Sequence, residues 1–317
     1  MKKVTKKVTG IMGALILSTS LALPVYANQE TQTSTILFSG GLHTQSIYQF
    51  NPETLQTKRI TSGNSVDVSP SGDMITYIKN DSVYVADSNG NNAVRLTRSK
   101  FPHYDSSPRF SPSGEKILFA RSDGNLYTID LESKQVTQLT QSEEEVFHSS
   151  PDWSPDGKKI VFHSADKGGN TSLFIMNADG SQIKPLTDQS NKESSEYSPH
   201  FSPDGKSILF EKSKNGQTDI YVMDVATKQA KNITADLDQA VSGAIWSEDG
   251  NQILFTVNEE NEKEKDSSSF YIMNKDGSNK KLLQLQVNYA TPSEWKTLNM
   301  SEQEEGFLNK IKNFLLD

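Results

Sequence analysis

Apolar residues along most of this chain come in short consecutive runs ending in an aromatic, set between polar stretches rich in Ser, Asp and Gly. Ile36-Leu37-Phe38, Ile75-Thr76-Tyr77, Ile117-Leu118-Phe119, Ile160-Val161-Phe162, Ile208-Leu209-Phe210 and Ile253-Leu254-Phe255 form one column. Runs this short predict strands, and apolar residues at neighbouring positions require both faces of each strand to be buried. A second column follows it, with Tyr48, Tyr84, Tyr127, Phe174, Tyr221 and Tyr271 each in a run that ends in Asp or Asn. These aromatics lie 36, 43, 47, 47 and 50 residues apart, the period of a four-stranded propeller blade.

Two more columns complete the unit. A closing strand ends in Ile60-Thr61, Leu96-Thr97, Leu139-Thr140, Leu186-Thr187, Ile233-Thr234 and Leu282-Leu283. Five tetrads, beginning at Ser69, Ser111, Ser154, Ser202 and Ser247, end in Gly, and four of them carry Pro second. Proline presets φ at the second position of a type I turn and glycine tolerates the exit, so each tetrad predicts a tight turn between strands. Asn89-Gly90, Asp179-Gly180 and Asp276-Gly277 are hairpin signals at a common place in three units.

Phe110, Trp153, Phe201 and Trp246 precede four of the tetrads, but the unit starting at Ile36 has no such strand before it. A radial array must join its first and last units or leave sheet edges exposed. The segment Val287 to Trp295, ending Pro292-Ser293-Glu294-Trp295, supplies the missing innermost strand. The expectation is an all-β six-bladed β-propeller over residues 36–297, closed by a C-terminal strand. A short amphipathic helix is expected over 298–317, with Ser301 as its cap and Phe307, Leu308, Ile311, Phe314 and Leu315 as one apolar stripe. That stripe packs on the propeller's own flank or docks another protein.

Residues 1–27 carry Lys2, Lys3, Lys6 and Lys7 and then an apolar run from Ile11 to Leu23, with Val25 and Ala27 at the small positions before a cut. This predicts a signal peptide, followed by a polar linker over 28–35, and hence a secreted or periplasmic, cell-envelope location. Losing four lysines takes the formal net charge from −8 to −12, which disfavours nucleic acid as a partner. The chain has no cysteine, so neither a disulfide nor a lipidated thiol can hold it. No later stretch is long and apolar enough for a transmembrane span. Asn258 to Ser269, rich in Glu, Lys and Ser, predicts a long solvated loop, with partner binding as the sharper alternative.

The run Trp153-Ser154-Pro155-Asp156-Gly157-Lys158-Lys159-Ile160-Val161-Phe162, through Met176-Asn177-Ala178-Asp179-Gly180 to Leu186-Thr187, resembles the WD40-like PD40 repeat of TolB-like propellers. The resemblance spans roughly residues 36–296. It implies a six-bladed propeller that binds an envelope protein, although the small α/β domain that precedes the propeller in TolB has no counterpart here. Related propellers cap serine peptidases, but no Gly-x-Ser-x-Gly elbow occurs. Some sugar-acid lyases also use TolB-like propellers with a channel histidine.

Candidate binding residues come from two positions of the repeat. Five residues before the aromatic stand Gly63, Asp105, His148, Glu196 and Val241, so Asp105, His148 and Glu196 of three neighbouring blades are candidates to meet a ligand or cation at the channel mouth. The plain alternative is solvated loop residues that never converge. One residue before the aromatic stand Asp67, Arg109, Asp152, His200 and Ile245. Arg109, Asp152 and His200 are candidates for a channel wall that selects a charged peptide end or a sugar acid, the alternative being charge balance between adjacent blades. No pair among the five histidines has the spacing of a helix-borne metal site, so no metal and no cofactor are expected. The expected function is non-catalytic binding of an envelope or extracellular protein, peptide or glycan. The rival is an oligogalacturonide-type lyase using His148 or His200 with Arg109.

Overall fold

The structure, a computed structural model, describes residues 34–41, 45–99, 101–258, 268–283 and 290–298. The expected signal peptide, most of the linker, most of the acidic insertion and the expected C-terminal helix lie outside the described residues. Six four-stranded antiparallel sheets make an all-β propeller. No helix among the described residues is long and apolar enough to cross a membrane.

Blade 1 runs outward from Thr291–Thr297 through Ser34–Gly40 and Ser46–Asn51 to Gln56–Ser62. The other five take their strands in chain order, with innermost strands Asn64–Val68, Asp105–Phe110, Phe147–Trp153, Ser194–Phe201 and Val241–Trp246. The C-terminal strand therefore completes the first blade, pairing Ile36 with Trp295 and Leu37 with Glu294. Trp295 Nε1 also donates to Ser34 Oγ at 2.7 Å.

The two aromatic columns are direct cross-strand partners. Phe38 pairs with Tyr48, Phe119 with Tyr127, Phe162 with Phe174, and the same match recurs in the remaining blades. Ring centroids lie 5.3–5.8 Å apart in near-parallel or tilted pairs. Such pairs add to the burial of the rings themselves. Between blades the cores are continuous: Met74, Val83 and Val85 of blade 2 pack with Phe110, Ile117 and Phe119 of blade 3. Consecutive apolar residues are thus buried on opposite faces of one sheet, each against a different neighbour.

Polar repeats stitch the blades. In each tetrad the glycine N–H donates to the serine carbonyl at 2.8–2.9 Å. The threonines of the closing strands accept the N–H of Val83, Leu126, Leu173 and Ile220 at 2.9–3.0 Å, tying outer to third strands. Each turn proline sits against the turn glycine of the next blade: Pro70 on Gly114, Pro112 on Gly157, Pro155 on Gly205 and Pro203 on Gly250. The last tetrad departs from the pattern with Glu248 in the proline's place, and the structure supplies the reason. At the seam there is no following turn to pack on, and Glu248 Oε2 instead accepts from Thr297 N at 2.9 Å and Thr297 Oγ1 at 2.7 Å. The substituted residue holds the returning end of the chain.

Candidate functional site

Every innermost strand carries one extra residue relative to its partner, a β-bulge just before the aromatic position. In five blades the bulge holds a residue in the left-handed region: Ser65, Ser107, Ser150, Ser198 and Gly243, with φ between 46° and 63°. Bulges re-aim the strand at a rim or site, and all five residues line a cavity of about 380 Å³ at one end of the channel. Blade 1 has Pro292 at this position.

Beyond the bulge the next side chains form a ring. Glu294, Asp67, Arg109, Asp152, His200 and Ile245, one from each blade in order, line a second cavity of about 320 Å³ toward the opposite end. Arg109, His200 and Ile245 also line the first cavity. Arg109 Nη1 lies 3.3 Å from Asp67 Oδ1 and 3.5 Å from Glu294 Oε2. Asp67 and Asp152 each turn one oxygen to the next blade, accepting Phe110 N at 2.7 Å and Phe201 N at 2.8 Å. His200 Nδ1 is 4.0 Å from Asp152 Oδ2, too far for a hydrogen bond.

Burial governs the protonation of this ring. It pushes the Glu294 carboxyl up to about 8, with the Asp67 charge adding to the rise and Arg109 and Lys296 opposing it. Burial likewise raises Asp152 to about 6 against the pull of Arg109. His200 is pushed down to about 3 by burial and by Arg109, so at neutral pH it is an uncharged imidazole and its contact with Asp152 is not an ion pair. Arg109 stays charged: its burial is more than offset by Asp67, Asp152 and Glu294.

The outer column of sequence candidates does not meet. Asp105 is 1% exposed and bonded within its surroundings, to Arg121 Nε at 2.7 Å and Thr97 Oγ1 at 2.6 Å. Glu196 pairs with Lys212 Nζ at 2.9 Å, and Thr187 Oγ1 donates to it at 3.3 Å. His148 Nδ1 shares a hydrogen bond with Ser164 Oγ at 2.9 Å, and burial pushes its pKa down to about 4. Each partner is the residue directly opposite on the adjacent strand, or the closing threonine of the preceding blade. Arg109, Asp152 and His200 do share the channel wall. Glu294 and Asp67 complete it, and Glu294 was readable in the sequence only by extending its column to the C-terminal strand. Buried Glu211 was not marked by the repeat. It lines the first cavity and accepts Gly243 N at 2.7 Å, and burial raises its pKa. Among the described residues no group of three or more His, Asp or Glu is placed to hold a metal ion.

Fold and channel define a six-bladed propeller with an ionisable ring around its axis. The chain belongs to the TolB beta propeller (PD40) family, whose model matches residues 50–197 and 187–314. No curated protein matches it. Among solved structures it is similar to a protein described as TolB from Agrobacterium tumefaciens, with 18% identity, TM-score 0.63, and 84% of this chain and 91% of that one covered. It is similar to the oligogalacturonate lyase of Vibrio parahaemolyticus at 15% identity and TM-score 0.56, covering 78% and 74%. Hydrazine synthase of Kuenenia stuttgartiensis matches at 13% identity and TM-score 0.67, over 84% of this chain but 47% of that one. At these identities the likeness is one of fold.

Proposed function

We propose that this chain is an exported, non-catalytic binding module whose channel takes a ligand with a positive group, such as the free amino end or lysine side chain of an envelope or extracellular protein or peptide. The observation that carries the reading is the crowding of carboxylates around one arginine. Asp67, Asp152, Glu294, Glu211 and Glu248 line the two cavities, opposed by Arg109 and Lys296. A cation entering between them lets Glu294 give up the proton that burial and Asp67 make it keep, whereas a sugar acid adds a further negative charge.

The lyase reading draws on similarity to an oligogalacturonate lyase in fold. It needs a cation free to hold a uronate, and Arg109 is already flanked by Asp67 and Glu294. The two readings separate in one experiment, in which the purified protein is titrated calorimetrically with a lysine-containing tripeptide and incubated with trigalacturonate, with and without divalent metal. We expect the tripeptide to bind and an Asp152→Asn/Glu294→Gln variant to lose that binding. Unsaturated product from trigalacturonate would sink the proposal.

A further inference from the structure

Most aromatic rings in this chain are buried between blades, yet three are not. Phe101 is 99% exposed, Tyr104 53% and Phe147 49%. Among the described residues no other Phe, Tyr or Trp is as exposed; Tyr104 and Phe147 flank one turn, and Phe101 stands three residues before Tyr104. Tyr104 and Ser122 exchange two hydrogen bonds, Tyr104 N to Ser122 Oγ at 3.0 Å and Ser122 N to Tyr104 O at 2.9 Å. Two residues on, Gly124 O accepts His148 N at 3.1 Å. A Cβ on Gly124 would come within 2.5 Å of Val146 O and 3.6 Å of the Phe147 ring. The hairpin turn Ser122-Asp123-Gly124 of blade 3 is therefore gripped between two interblade loops, and each loop presents aromatics beside it. Tyr127 Oη, donating to Asp123 at 2.6 Å, fixes the turn from below.

The same loop that presents Phe147 carries Glu143, Glu144 and Glu145, all exposed and none paired with a described cation. Among the described residues the exposed cation nearest to Phe101 on the other loop is Arg98. The patch is thus apolar at its centre and acidic at one border.

We propose that this rim is a docking surface, distinct from the channel, for a short segment of another protein in which aromatic or branched aliphatic residues stand next to Lys or Arg. Size argues for a short segment. Three half- to fully exposed aromatics offer roughly 300–400 Å², well under the roughly 800 Å² per partner of a stable domain interface. Charge argues against a second copy or an anionic lipid surface, since each sets like charge against Glu143, Glu144 and Glu145 in a chain whose net charge is already −8. The clamped turn fixes the backbone that carries Tyr104 and Phe147 before binding, which lowers the ordering cost of association.

The test is selection of a phage-displayed random peptide library on the protein, followed by measurement of the enriched peptides as synthetic ligands. We expect enriched sequences to join apolar residues with Lys or Arg. They should bind a Phe101→Ser/Tyr104→Ser/Phe147→Ser variant about tenfold or more weakly, and saturating lysine tripeptide should not displace them from the wild type. A second variant, Glu143→Gln/Glu144→Gln/Glu145→Gln, should weaken binding several-fold and flatten its salt dependence. Both sets of substitutions lie on exposed side chains, so melting should not move. The proposal is overturned by enrichment of acidic peptides, by equal binding to the aromatic variant, by no enrichment, or by self-association of the wild type that the aromatic variant abolishes. Displacement by the lysine tripeptide with undiminished binding to the aromatic variant assigns the peptides to the channel and also overturns it.

Discussion

Glu294 makes the stability of this propeller fall as pH rises through neutrality. In the fold its carboxyl keeps its proton to about pH 8, against an ordinary glutamate value of 4.5. The folded state thus binds more protons than the unfolded chain between those values, and stability declines with pH there before levelling off above 8. Other ring members titrate elsewhere. His200, His148 and His163, with folded values of about 3 to 4, are neutral in the fold but lose their protons in the unfolded chain around pH 6.5, which by itself raises stability with pH up to about 7.5. Asp152, at about 6, is mostly ionised in both. Across pH 6.5 to 8 the difference between the wild type and a variant lacking the Glu294 carboxyl therefore isolates its contribution. A full proton difference is about 1.4 kcal/mol per pH unit, or about 2 kcal/mol across the window. Water in the channel reaches a quarter of the Glu294 side chain, so we expect about 1 to 2 kcal/mol. Glu294→Gln removes the titration and leaves a neutral residue of the same shape. Urea unfolding at half-unit pH steps should show the wild-type midpoint falling steadily relative to that of the variant as pH rises from 6.5 to 8. Equal slopes for the two proteins refute the reasoning.

Three further expectations follow from the same contacts. Asp105→Ala should lower stability by about 3 to 5 kcal/mol, because it strands Arg121 and removes the Thr97 bond, and it should leave tripeptide binding by the folded protein intact. Loss of binding with unchanged stability contradicts this. Glu248→Pro, which restores the residue of the four preceding turns, should lower the melting temperature through loss of about 1 kcal/mol, since it frees Thr297 at the seam; a raised melting temperature contradicts it. Gly180→Ala sets a Cβ 2.2 Å from Leu139 O and should fold poorly. Gly216→Ala, at nearly the same φ but with nothing within 4 Å, should lose only about 1 kcal/mol, and comparable urea midpoints for the two would contradict the clash.

The blade pattern was legible because the physics that buries both sheet faces writes itself as consecutive apolar residues. Phe162 and Phe174 announce their strands in isolation, and their pairing merely aligns them. The channel was legible in part. Arg109, Asp152 and His200 stand next to an aromatic that fixes the register, so their column could be followed. Asp105, His148 and Glu196 could not be placed, because the bulge inserts one residue between them and that aromatic. An inserted residue inverts the alternation of faces, so residues four apart across it point to opposite sides. Their cross-strand partners then absorb them. Only the serines at the bulge, Ser65, Ser107, Ser150 and Ser198, hinted at it, through a repeated polar residue at a fixed distance.

The central claim, that channel carboxylates receive a cationic group, is tested most directly by following the side-chain carboxyl resonance of Glu294 with pH, with and without saturating lysine tripeptide. A cation seated among Asp67, Asp152 and Glu294 favours the ionised form, so the account predicts that the midpoint falls from about 8 when peptide is present and that Glu294→Gln weakens the peptide. A tripeptide that binds while the Glu294 titration stays where it was contradicts the account.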